Sequence, residues 1–95
     1  MNKYELAIIL NANLEDELLK EEVEKVHAII ARFGGLIDKI DDWGKRKLAY
    51  EINKQTEGFY SFITFTSDGD APSKMEDRLR IMENLLRFLI IRQED

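Results

Sequence analysis

The 95 residues are expected to make one domain, 1–95, with room for a single modest core, and their net charge is −5 with a pI near 4.9. That balance argues against a protein that coats nucleic acid non-specifically, because phosphate binding is largely counterion release onto Lys and Arg. Cysteine is absent, which excludes disulfides, thiolate zinc sites and cysteine nucleophiles; with no apolar run of ~20 residues and no signal-peptide pattern, a cytosolic protein is expected and a membrane is not.

The first predicted strand, Tyr4 to Leu10, alternates Tyr4, Leu6, Ile8 and Leu10 against Glu5, Ala7 and Ile9. Both phases are partly apolar, as suits a central strand. Asn13 is the expected N-cap of the helix that follows, with Glu15, Asp16 and Glu17 in its first turn, where the macrodipole favours negative charge. Leu19, Val23, Val26, Ile30 and Phe33 recur every three or four residues, with Leu18 and Ile29 widening the stripe. Gly34-Gly35 supplies the left-handed stop.

Leu36 to Asp42 and Lys45 to Ile52 read as two halves of one long strand, with Gly44 marking a bulge. Asn53 to Gly58 is read as a turn and Phe59 to Thr66 as the second strand of a hairpin. Ser67 to Asp70 is a loop. Pro72 opens a second helix whose buried stripe is Met75, Leu79 and Met82 and which Asn84 closes. Leu85 to Ile91 is the last strand, and Gln93-Glu94-Asp95 is expected to fray.

The order is β-α-β-β-α-β, without linker, repeat or low-complexity segment. Two split β-α-β units with right-handed crossovers place both helices on one face of a four-stranded antiparallel sheet, with the first and third strands central. Ile63 and Phe65 should join Leu6, Ile8, Phe88 and Ile90 under the helices. The alternate positions are then left open: Glu5, Ala7 and Ile9; Tyr60, Phe62 and Thr64; Arg87, Leu89 and Ile91.

The chain's unusual chemistry lies between Trp43 and Tyr60. From Trp43 to Lys54 four cations (Lys45, Arg46, Lys47 and Lys54) face one anion, Glu51, a local charge of +3 in a chain of −5. An anionic partner is expected there, although a run of cations on an edge strand can also serve only to discourage sheet-to-sheet aggregation. Alternation sends Lys45 and Lys47 one way and Arg46 the other. Tyr60 and Phe62 on a central strand with Arg87 nearby is an arrangement that single-stranded RNA uses for stacking. The same pair can instead be covered by another protein; either way a partner is required. Tyr60 to Phe65 matches the RRM strand motif only in part, since its basic residue and glycine are out of phase.

Catalysis has no candidate residues. His27 is the only histidine, without a nucleophile or second ligand at useful spacing, and is read as structural. No phosphate-cradling glycine motif, metal-ligand spacing or nucleophile elbow occurs, so no cofactor or metal is expected.

The run Trp43-Gly-Lys-Arg-Lys-Leu-Ala-Tyr-Glu-Ile-Asn-Lys54, followed by Gly58-Phe59-Tyr60, resembles bacterial ribosomal protein six of the small subunit. Lys3-Tyr4-Glu5, Leu10 to Leu14, Leu79-Arg80-Ile81 and Leu86-Arg87 follow the family pattern in the same order, so the resemblance covers essentially the whole chain. It implies a ferredoxin-like fold, no enzymatic activity, and a structural role in the cytoplasmic small subunit. It further implies binding to the central domain of 16S ribosomal RNA together with ribosomal protein eighteen. Arg46, Leu48, Tyr50 and Lys54 are carried over by motif, Tyr4 and Arg87 more loosely, and Lys3 stands near where relatives often have an N-terminal arginine. With the residues read from the sequence, the candidate contacts are Lys3, Tyr4, Lys45, Arg46, Lys47, Tyr50, Lys54, Tyr60, Phe62, Arg87 and Arg92, in a chain expected to be monomeric when isolated. A free-standing RRM-like binder of single-stranded RNA is the alternative. An acylphosphatase-like enzyme of the same topology would need an arginine in an anion-cradling loop after the first strand, where Asn11-Ala12-Asn13 stands.

Overall fold

A computed structural model describes residues 1–93. The elements are β1 (Asn2–Asn11), α1 (Asp16–Arg32), β2 (Leu36–Ile52), β3 (Gln55–Ser67), α2 (Ala71–Leu79) and β4 (Leu85–Gln93). The sheet order is β2-β3-β1-β4 with every pairing antiparallel, so the first and third strands are central as alternation predicts. Leu6, Ile8, Leu10, Ile63 and Phe65 of the sheet are buried with Val26 and Ile30 of α1 and Met75 and Leu79 of α2. Phe88 and Ile90 are half-buried against that core. Ile9 pairs with Tyr60 and Ile8 with Ser61, which puts Tyr60 in the phase opposite to the core.

Several boundaries differ from the sequence reading. Asn13 does not cap α1: the helix opens at Glu15, whose carbonyl accepts from the Leu19 amide at 2.9 Å, and no side chain caps it. The Asn13 amide instead donates to Asn11 Oδ1 at 2.9 Å, and its side chain reaches Gln55, so its hydrogen bonding serves the loop. Leu18 is 47% exposed and lies outside the buried stripe. The β2–β3 connection is only Asn53-Lys54, both at positive φ (49° and 65°), flanked by the Ile52–Gln55 pair. Positive φ at both central positions matches the right-handed strand twist and closes the hairpin in two residues; β3 therefore starts at Gln55 and Gly58 lies inside it.

α2 stops at Leu79, five residues before Asn84. The chain continues through tight turns, with the Ile81, Met82 and Leu85 amides donating three residues back at 3.2–3.3 Å, which keeps Met82 half-buried without helix. Asn84 contributes its carbonyl, accepting from Asn11 N–H at 2.8 Å. Gln93 is not frayed but pairs with Lys3; Glu94 and Asp95 lie outside the described residues.

The bulge expected at Gly44 is present in β2, and its effect on the strand's phase matters most for function. Asp42 pairs with Ser61 and Gly44 with Tyr60, leaving Trp43 as an extra residue at a bulge with Gly44 at φ 80°. The left-handed region is nearly free only for glycine. The bulge reverses the strand's phase: Asp42 lies toward the helices, where the Ser61 hydroxyl donates to its Oδ1 at 2.5 Å, whereas beyond the bulge Arg46 turns to the other face, where Leu48 meets Gly58 and Tyr50 meets Arg87.

Candidate nucleic-acid and protein interface

Helices cover one sheet face. The other carries Glu5, Ala7 and Ile9 of β1, Arg46, Leu48 and Tyr50 of β2, Tyr60, Phe62 and Thr64 of β3, and Arg87, Leu89 and Ile91 of β4. Leu89 and Ile91 are 58% and 50% exposed, and Trp43 is 51% exposed. Uncovered apolar side chains grouped on one face mark an interaction surface.

The hairpin tip extends past the end of β1, whose last pairing partner on β3 is Gly58, and curls over this face. Leu48 is buried over Gly58, where a Cβ would come within 2.4 Å of Ile9 Cγ2 and 3.2 Å of Leu48 Cδ2. Gly58 thus permits a close approach and is not a turn residue. The curl brings Tyr50 to β4: the Arg87 guanidinium donates to the Tyr50 hydroxyl and lies 5.8 Å from its ring centroid. An apolar depression of about 260 Å³ lies beside this clasp, with Ile9, Tyr60, Phe62, Arg87 and Leu89 in its wall.

The candidate residues consequently divide. Arg46, Tyr50, Tyr60, Phe62 and Arg87 share the bare face toward the hairpin, and Lys54 stands at its tip. Lys45 turns to the helix side, with Nζ 4.0 Å from Asp16 Oδ1, and Lys47 shares its phase. Lys3 is exposed at the far end of β1 from the hairpin. Tyr4 is not a surface residue: it is 7% exposed, its ring stacked on Phe65 at 5.5 Å between centroids. Arg92, opposite Tyr4 in the core phase, donates to Asn2 Oδ1 at 2.9 Å and does not join the bare face.

Tyr60 and Phe62 are half-buried, not open as alternation suggests. The Trp43 ring covers Phe62, with centroids 4.6 Å apart and planes inclined at 55°. Alternation cannot foresee this cover, because it depends on the bulge; the signal available in the sequence was the sole tryptophan beside a glycine. Asp41, opposite Phe62 on the same face as Glu5, also escaped the sequence reading. His27 is half-buried on α1. No group of three or more His, Cys, Asp or Glu is placed to hold a metal among the described residues, and no helix there is long and apolar enough to cross a membrane.

The family described as Ribosomal protein S6 matches residues 3–92. A small ribosomal subunit protein bS6 of Clostridium botulinum (strain Hall) is 45% identical over 94 residues, which is 99% of this chain and all of the relative. One from Clostridium novyi (strain NT) is 39% identical over 99% of each chain. The crystal structure of 30S ribosomal protein S6 from Thermotoga maritima superposes with a TM-score of 0.91 at 36% identity, covering 97% of this chain and 87% of the other.

Proposed function

Because the chain belongs to the ribosomal protein S6 family and is a structural constituent of the small ribosomal subunit, we propose that it binds the central domain of 16S ribosomal RNA jointly with ribosomal protein eighteen, in cytoplasmic ribosomes. The observation that carries this reading is the coincidence, in an acidic chain, of a basic hairpin with an uncovered apolar face. Arg46 and Lys54 supply phosphate contacts; the Tyr60 and Phe62 region supplies apolar contact. The isolated chain is a monomer with little RNA affinity at physiological salt, since its net charge repels phosphate away from the hairpin. The partner protein completes the site. The half-burial of Tyr60 and Phe62, the latter under Trp43, favours this reading over independent stacking of bases by an RRM-like surface.

Salt-dependent binding of the joint assembly to the RNA tests it. Arg46→Ala and Lys54→Ala should each lower the slope of log affinity against log salt by about 0.7–0.9. Arg46→Lys should not fully rescue, because a point charge does not replace a planar fork. Tyr60→Ala with Phe62→Ala should weaken binding at nearly constant slope. Equal slope changes for both pairs, or none, would remove the hairpin and sheet face from the site; tight binding of short oligonucleotides by the chain alone would favour the RRM-like alternative.

A further inference from the structure

The bare face is electrically divided. Arg46, Lys54 and Arg87 crowd the hairpin end, whereas a cleft of about 240 Å³ at the opposite side of Phe62 is lined by Glu5, Lys39, Asp41, Trp43, Phe62 and Thr64. Two carboxylates there outnumber one ammonium. Two aromatic rings stand in its wall, and one of them, Trp43, is half exposed. The indole Nε1 donates to Asp41 Oδ2 at 3.1 Å, which holds the carboxylate beside the ring and uses up the only donor of the indole.

We propose that this cleft is the receptor for an arginine side chain of a basic protein segment, and that the bare face is thereby partitioned, RNA at the hairpin end and protein at the Trp43 end. A guanidinium stacks on an indole face and accepts carboxylate partners at its edge, which are the two features the cleft offers. A phosphate meets repulsion from Asp41 and Glu5 at the same place. Leu89 and Ile91 continue the surface away from the cleft, Ile91 directly opposite Glu5 on the neighbouring strand. The fitting segment therefore has apolar residues beside its arginine. The assignment deepens the function proposed above and rests on it for the presence of a protein partner.

Trp43 is the sole tryptophan, so its fluorescence reports the cleft directly. The probes are a capped peptide of alternating leucine and arginine, its glutamate counterpart, and a single-stranded RNA ten-mer, each titrated into the full chain. The arginine peptide should change Trp43 emission and the other two should not. By calorimetry, Asp41→Asn and Glu5→Gln should each weaken the peptide roughly two- to fivefold. Lys39→Ala should tighten it by a similar factor, a gain that a purely structural role for the cleft does not give. An unchanged affinity in Asp41→Asn, or an RNA ten-mer that perturbs Trp43 as strongly as the arginine peptide, overturns the proposal. The salt-slope variants at Arg46 and Lys54 leave this titration unaltered, so a failure of the RNA reading and a failure of the cleft are seen separately.

Discussion

The two faces of this sheet share every backbone hydrogen bond and differ in what covers them. Toward the helices, Leu6, Ile8, Leu10, Ile63 and Phe65 are sealed against Ile30, Met75 and Leu79, leaving essentially no exposed surface. On the other face, Ile9, Leu48, Phe62 and Tyr60 are partly shielded by one another and by Trp43, while Leu89 and Ile91 stand in solvent. One face is complete within the chain. The other is only half built, with Arg46, Lys54 and Arg87 toward the hairpin and Glu5 and Asp41 beside Lys39 in the cleft at Trp43.

Substitutions on the two faces should therefore separate stability from binding. The largest effect belongs to the closed face: Leu79→Ala should cost about 2–5 kcal/mol in urea denaturation, while the folded fraction binds its partners unchanged. Gly58→Ala comes next, at about 1–3 kcal/mol, because the new methyl meets Ile9 at 2.4 Å and must push the hairpin off the face. It should also weaken joint RNA binding, since Leu48 and Tyr50 move with the hairpin; a stable Gly58→Ala protein with normal binding would show that the curl is dispensable.

Phe62→Ala should cost roughly 1–2 kcal/mol, less than a core phenylalanine because the ring is only half-buried. A measured loss near zero would mean that Trp43 does not cover it in solution. Tyr50→Phe removes the acceptor of the Arg87 hydrogen bond on an exposed clasp and should change stability by less than about 1 kcal/mol. Its effect should instead appear as faster hydrogen exchange at the hairpin tip.

The element order, the central strands and the composition of the closed face were legible because each rests on periodicity. Alternation in β1 and β3 assigned both faces, and the three-four spacing of Leu19, Val26 and Ile30 assigned the helix stripe. The open face was harder, since alternation carries no information across an inserted residue. The bulge at Trp43 moves Arg46 onto that face and brings the indole over Phe62, and a further shift between Lys47 and Ile52 precedes the hairpin turn. Asn53-Lys54 escaped for a related reason: lysine is an uncommon occupant of a left-handed position, so the turn was read as longer than it is. Tyr4 was carried over from a family pattern, while its even position among Leu6, Ile8 and Leu10 already placed it in the core.

Strand order has a consequence for how the chain is made. β1 is synthesised first and lies between β3 and β4, so its second neighbour is the last of the six elements to emerge. Until residues 85–93 are available, a strand apolar in both phases keeps one row of backbone donors and acceptors unpaired, a template for other chains. The nascent protein is thus expected to be vulnerable to aggregation for most of its synthesis. A chain cut after Asn84 should show poor exchange protection in β1 as well as in the missing edge, and recovery on adding a peptide of residues 85–93 would trace the defect to that one late pairing.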